Sequence, residues 1–273
     1  MCIRDSVGAV LRFVHKVSFL YSSVGHTEET LRLVRGNCIM HVDPAQLLEP
    51  QPDYFEAEWW MQHAETRTNL DGRGTALAVP GISGERWILR EYRRGGLPGK
   101  LVKRHYAWLG EERTRAVREF RLLQSMRAQN LPVPSPVGVA IWRRGLGCRS
   151  SLLMQAIPSV RTLADVIATG SFDEATHGQA LDTVLRRFQE AGYWHADLNA
   201  RNILLDDQSD WWLIDWDRGR ENVAPEQCAR NRDRLVRSLR KIAAADGWRG
   251  QTHEQLIAVS YTHLRAHETS LHL

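Results

Sequence analysis

One histidine, two aspartates and one asparagine between Trp194 and Arg220 have the types and spacing needed to move a phosphoryl group. The stretch reads WHADLNARNILLDDQSDWWLIDWDRGR. Asp197 lies two residues after His195, and Asn202 lies five after Asp197. Asp215 follows Asn202 by thirteen, directly behind the apolar run Trp211, Trp212, Leu213, Ile214. The pattern is H-x-D-x-x-x-x-N, then an apolar strand, then Asp. Phosphoryl transfer asks little covalent chemistry of a protein; it needs an aligned acceptor hydroxyl and divalent ions that spread charge. Asp197 is the candidate catalytic residue, able to orient a hydroxyl and accept its proton. Asn202 and Asp215 are the candidate metal ligands. They supply the hard oxygens that Mg2+ prefers, and Mg2+ keeps several waters and so needs only one or two protein groups. His195 reads as a pin for the loop rather than as a ligand. Asp and Asn also favour plain turns, but the second aspartate, after a strand at the expected distance, argues for a site.

A site of this kind needs a half that grips the nucleotide, and the preceding chain has the parts. Asp53 to Met61 reads as a short helix. Gly72-Arg73-Gly74-Thr75, TALAVPG and ERWILREY then read as strand, glycine turn, strand, turn, strand. Gly72 and Gly74 are candidate nucleotide-binding residues, since glycine lets backbone N–H groups approach phosphate; a plain hairpin turn is the alternative. Arg90 closes the apolar run Trp87, Ile88, Leu89, where a cation can hold phosphate bidentately and pair with a helix carboxylate. A solvated strand arginine is the alternative. The next helix, about Glu112 to Gln129, carries Ala116, Val117, Phe120, Leu123 and Met126 at helical spacing. Glu119 leans toward that apolar face, where a charge needs a partner. Arg90 is the expected partner, and an i,i+4 pair with Arg115 is the alternative.

The chain then stiffens at Leu131-Pro-Val-Pro-Ser-Pro136. Ile141-Trp142 and Ser151 to Gln155 read as strands, and Gln155 to Ser159 as a hinge between lobes. After Asp173, Leu181, Val184, Leu185 and Phe188 mark an amphipathic helix that stops at Gly192 and delivers the catalytic loop. A basic helix from Asn231 to Ala245 carries Leu235, Val236 and Leu239 on one side, as for lobe packing.

HADLNARNILLD followed by WLIDWDRGR resembles the bacterial 3-deoxy-D-manno-octulosonic acid (Kdo) kinases, lipopolysaccharide kinases of the protein-kinase-like superfamily. YFEAEWW, GRGTA, WILREYRRGGLPGKL, TRAVREFRLL, LPVPSPVG and RLVRSLRK extend the likeness over roughly Asp53 to Ala245. Two departures are Arg201, where histidine is usual, and Trp216, where phenylalanine is usual; the second bears on packing beside Asp215. The resemblance implies an α+β, two-lobed protein-kinase-like fold with a β-rich N-lobe at about 53–156 and a mostly helical C-lobe at about 157–258. It implies ATP and Mg2+ as cofactors, and phosphorylation of the 4-hydroxyl of a Kdo residue on a lipid A precursor. It also implies a peripheral place on the anionic cytoplasmic face of the inner membrane. Arg90, Arg93, Arg94, Lys100, Lys103 and Arg104, interleaved with Gly95, Gly96 and Gly99, form a basic segment that could dock such an acceptor; a solvated loop is the alternative. Kinases for a heptose, an aminoglycoside or a protein serine stay open as rivals, as does a nucleotide-binding module without catalysis.

Composition agrees with a globular enzyme. The 273 residues suffice for a sizeable core, with 43% hydrophobic and 25% charged residues. A net charge of +4 suits an acidic substrate but does not argue for nucleic acid. Cys2, Cys38, Cys148 and Cys228 lie far apart and read as free thiols. Val7 to Val24 is broken by Arg12, His15 and Lys16, which argues against a membrane span. Residues 1–49 read as an extension outside a domain at 50–258, partly foreign at MCIRDS. Residues 259–273 read as a foreign tail whose His263, His267 and His272 lack metal-site spacing. Oligomeric state has no signature here.

Overall fold

The computed structural model describes residues 30–63, 68–69, 76–81, 84–92 and 106–245. It is an α+β structure with a sheet-rich first half and helices later. The first half is built on one mixed-length antiparallel sheet. Its strands are β1 (Leu31–Arg35), β2 (Cys38–Val42), β3 (Thr68–Asn69), β4 (Ala76–Pro80), β5 (Arg86–Glu91), β6 (Tyr106–Ala107), β7 (Pro136–Arg144) and β8 (Gly147–Gln155). They lie in the order β1-β2-β7-β8-β5-β4-β3, with β6 also on β8. Alternation of side chains across a strand lets this sheet serve two cores. On β5, Trp87 and Leu89 join Phe55, Trp60, Met40 and Leu153 in one apolar cluster. Ile88 and Arg90 take the opposite parity and face the other side.

That other side is covered by α2 (Arg115–Ala128), whose Phe120, Leu123 and Met126 are buried with Val139, Ile141 and Leu152 of the sheet. The same cluster continues into the second half, through Leu163, Phe188, Leu198, Trp211, Trp216 and Leu235. One apolar core therefore joins the two halves directly behind the catalytic loop. The second half holds α3 (Leu163–Ala168), α4 (Gln179–Glu190), α5 (Pro225–Ala245) and a small sheet of β9 (Arg161–Thr162), β10 (Ile203–Leu205) and β11 (Trp211–Leu213). Thr162 and Asp165 form a reciprocal cap at the start of α3, satisfying two backbone donors that a helix start leaves orphaned.

The structure moves one expected boundary. Residues 1–49 were expected to lie outside the domain, yet β1 and β2 form a hairpin whose second strand pairs with β7 in register Met40↔Ala140. Met40, Val42 and Leu47 are fully buried. The described N-lobe therefore starts at about residue 30. β2 escaped the periodicity reading because all five of its residues are buried, including His41, so no polar alternation marks it. The basic helix also begins earlier than Asn231, at Pro225, where proline suits a first turn. α1 (Ala57–His63) overlaps the segment read as helical, Asp53 to Met61, and starts and ends later than it.

Candidate active site

Backbone and side-chain hydrogen bonds hold the catalytic loop in place. α4 ends at Glu190, and Gly192 turns the chain with φ 75°. A Cβ there would lie 3.4 Å from the Val223 carbonyl, so glycine suits both the angle and the space. Trp194 then pairs with Arg220 in an antiparallel bridge. His195 is fully buried; its Nε2 lies 2.9 Å from the Ile214 carbonyl, and its Nδ1 accepts the Asp197 N–H at 3.1 Å. Those partners require the neutral ring with its proton on Nε2. Burial lowers the His195 pKa and favours that form. The Asn231 carboxamide of α5 spans the His195 backbone, 3.0 Å from its carbonyl and 3.1 Å from its N–H. His195 is thus the pin expected from its position.

Asn202 Nδ2 donates to the Asp197 carbonyl at 2.9 Å, and the Asn202 carbonyl accepts the Ile214 N–H at 3.0 Å. The first bond closes the loop on itself, and the second ties it to Ile214, the residue between β11 and Asp215. With its nitrogen spent on Asp197, Asn202 keeps its carboxamide oxygen for a cation. The Asp197 residue is exposed, as a group that must meet an acceptor should be. Asp215 has φ 63°, a left-handed conformation that aspartate tolerates better than most residues. Asp215 is half-exposed at 39%.

Arg90 joins the halves of the site. Its Nη1 donates to Glu119 at 3.0 and 3.3 Å, and its Nη2 donates to Asp215 Oδ1 at 2.6 Å. The expected pairing with Glu119 is present, and the bond to Asp215 is an addition that links residues 125 apart in sequence. Glu119 is 2% exposed. Burial pushes its pKa up, while Arg90, the Tyr92 hydroxyl and the Trp216 backbone favour the ionised form. Burial alone would lower the Arg90 pKa; Glu119, Tyr92 and Asp215 more than reverse this and raise it. The buried Tyr92 hydroxyl hydrogen-bonds Glu119, and the Arg90 guanidinium sits 5.3 Å from the Tyr92 ring centre.

Arg115 is not the Glu119 partner that the alternative reading allowed. Its Nε donates to Asp217 Oδ1 at 2.9 Å, and its Nη2 meets the other oxygen. Asp217 is 10% exposed. A second cation–carboxylate bridge therefore joins α2 to the segment after Asp215. Trp216, between Asp215 and Asp217 in sequence, stacks on Phe188 at 5.2 Å and lies 4.6 Å from the His195 ring. The doubt about packing at this position resolves into a fully buried indole whose N–H donates to the Leu213 carbonyl at 3.2 Å. Tyr92 and Asp217 were not singled out from the sequence, and Arg115 was considered only as a partner of Glu119. The second aspartate of IDWD was a visible signal for Asp217; nothing local marked Tyr92 as the Glu119 partner.

Asp197, Asn202, Asp215, Arg90 and Glu119 thus converge on one site. Gly72 and Gly74 lie outside the described residues, as do residues 93–104 of the basic segment. No cluster of three or more His, Cys, Asp or Glu suited to a metal occurs among the described residues. An asparagine and an aspartate nevertheless fit Mg2+, which completes its shell with water and phosphate oxygens.

The lipopolysaccharide kinase (Kdo/WaaP) family matches residues 57–259 of this sequence. The chain belongs to that family. It is a phosphotransferase with a kinase-like α+β fold. A relative from Xylella fastidiosa (strain 9a5c), called 3-deoxy-D-manno-octulosonic acid kinase, is 39% identical over 201 residues, 73% of this chain and 79% of the relative. A protein of that name from Stenotrophomonas maltophilia (strain R551-3) is 37% identical over 235 residues, 85% of this chain and 89% of its own length. One from Xanthomonas euvesicatoria pv. vesicatoria (strain 85-10) is 38% identical over 239 residues, 86% and 91% of the two chains. Among the described residues of this family member, no helix is long and apolar enough to cross a membrane.

Proposed function

We propose that this family member transfers the γ-phosphoryl group of ATP to the 4-hydroxyl of a Kdo residue on a lipid A precursor, at the cytoplasmic face of the inner membrane. The acceptor comes from the shared name of its relatives. The observation that carries the chemistry is the convergence of Arg90 on Glu119 and Asp215, beside a loop that presents Asp197 and Asn202. Asp197 orients the acceptor hydroxyl and takes its proton as the oxygen bonds to phosphorus and ADP departs. Arg90, positioned by Glu119, holds non-transferred phosphate oxygens bidentately. Asn202 and Asp215 would hold Mg2+, which supplies charge neutralisation on the phosphates when bound. Gly72 and Gly74 cover the phosphates with backbone N–H groups. Arg93, Arg94, Lys100, Lys103 and Arg104 meet the anionic lipid surface.

The test is transfer of labelled phosphate from ATP to purified Kdo-lipid A, set beside a heptose-bearing acceptor, an aminoglycoside and a mixed protein substrate. Label on the Kdo acceptor at least about a hundredfold above the others is expected, a discrimination of roughly 2.7 kcal/mol. Preferential labelling of any other acceptor would overturn the assignment.

A further inference from the structure

Two guanidinium groups converge on one indole beside the catalytic loop. Trp194 stands three residues before Asp197. Its N–H donates to the Arg220 carbonyl at 2.8 Å, and the Arg220 N–H returns to the Trp194 carbonyl at 3.0 Å. This bridge fixes the Arg220 backbone, and the guanidinium carbon lies 5.5 Å from the Trp194 ring centre. Arg234, on α5, lies 5.1 Å from the same ring. Its Nη1 donates to the carbonyl of Ala196, the residue before Asp197, at 2.7 Å. After burial and three opposing influences, the Arg234 charge also helps to lower the His195 pKa, so its field is felt inside the loop.

Arg32, Arg90, Arg115, Arg149 and Arg232 all pair with carboxylates. Among the described residues neither Arg220 nor Arg234 does; their partners are an indole face and a backbone carbonyl. Arg220 is exposed and Arg234 half-buried. Two like charges drawn to one ring repel each other, and a bound anion would relieve the repulsion. Guanidinium offers forked donors that match a carboxylate. The contact with Ala196 ties Arg234 to the residue directly before Asp197, the group that meets the acceptor hydroxyl.

We infer that Arg220 and Arg234, seated on Trp194, bind the carboxylate of the sugar acid whose hydroxyl is presented to Asp197. The inference rests on the acceptor being a sugar acid, as proposed above. It separates two roles: this pair reads the acid group, while the basic segment at 93–104 faces the lipid.

The test compares wild type, Arg220→Gln, Arg220→Lys and Arg234→Gln on Kdo-lipid A and on its carboxyl methyl ester. Arg220→Gln and Arg234→Gln should each raise the acceptor KM about tenfold or more, the scale of a lost charge-assisted hydrogen bond, with the ATP KM changed less than about twofold. The wild type should lose a similar factor on the ester. Arg220→Gln should no longer distinguish acid from ester, and Arg220→Lys should recover part of the difference. An Arg220→Gln enzyme that still prefers the free acid by the wild-type factor overturns the inference. If the folded wild type phosphorylates neither acceptor, the proposed function fails. The anion site is then judged by calorimetric titration with free Kdo monosaccharide. Binding that Arg220→Gln abolishes supports the site; binding absent from wild type, or equal in both proteins, overturns it.

Discussion

Replacing Glu119 by glutamine would remove one charge from the most buried part of the site while keeping the side chain's shape. In the wild type, Glu119 accepts from Arg90 at 3.0 and 3.3 Å and from the Tyr92 hydroxyl, at 2% exposure. Arg90 is 19% exposed and keeps Asp215 as a second partner, so its charge would not be stranded. The loss is therefore set below the 3–5 kcal/mol typical of a broken buried pair, at about 2–3 kcal/mol. Urea titration should show this as a lower midpoint at unchanged slope. Freed from Glu119, Arg90 would swing toward Asp215 and away from the phosphates. kcat/KM for ATP should then fall by roughly 10–100-fold, at about 1.4 kcal/mol per decade. Arg90→Gln should do at least as much, and the double variant little more than the worse single one. A coupling of at least about 1.5 kcal/mol in this cycle is expected. Losses additive to within about 0.5 kcal/mol would refute the reasoning, because they would mean that the two side chains act independently.

Further outcomes follow from the same geometry. Asp215→Ala should abolish Mg2+-dependent ATP binding in calorimetry, and Asn202→Ala should weaken it; unchanged binding in Asp215→Ala would make that carboxylate structural. Gly219→Ala should destabilise the fold by about 1–3 kcal/mol in urea titration, since a Cβ there would lie 2.8 Å from Leu122 Cδ2 and 2.9 Å from the Trp216 carbonyl. His195 and His41 both have folded pKa values lowered chiefly by burial. The unfolded chain therefore binds more protons below about pH 6.5, and stability should fall as pH drops from there through the folded values. A thermal midpoint that stays flat from pH 7 to pH 5 would contradict this.

The catalytic loop was legible because its chemistry is local: His195, Asp197 and Asn202 sit within one turn-rich stretch, and Asp215 follows the next hairpin strand. The α2 helix and the inward lean of Glu119 were legible from helical periodicity alone. The second Arg90 bond was not, because the two residues are 125 positions apart and only the packing of α2 between the halves brings them together. Arg115 could have paired with Glu119 on its own helix or with a distant carboxylate. Helical spacing allowed the first, and the position of Asp217 decided for the second. The left-handed backbone at Asp215 has no signature in an aspartate, which is common in both turns and strand ends. The β2 strand was hidden for a different reason: burial on both faces erases the alternation by which strands are recognised.

The central claim is that Asp197 serves as the base for phosphoryl transfer to an acceptor hydroxyl. Its most direct test is single-turnover transfer from ATP to Kdo-lipid A by wild type and Asp197→Asn, with ATP affinity measured in parallel. Turnover should fall by about 10²–10⁴-fold with ATP affinity nearly unchanged. Near-normal turnover in Asp197→Asn, or an equal collapse of ATP binding, would contradict the account.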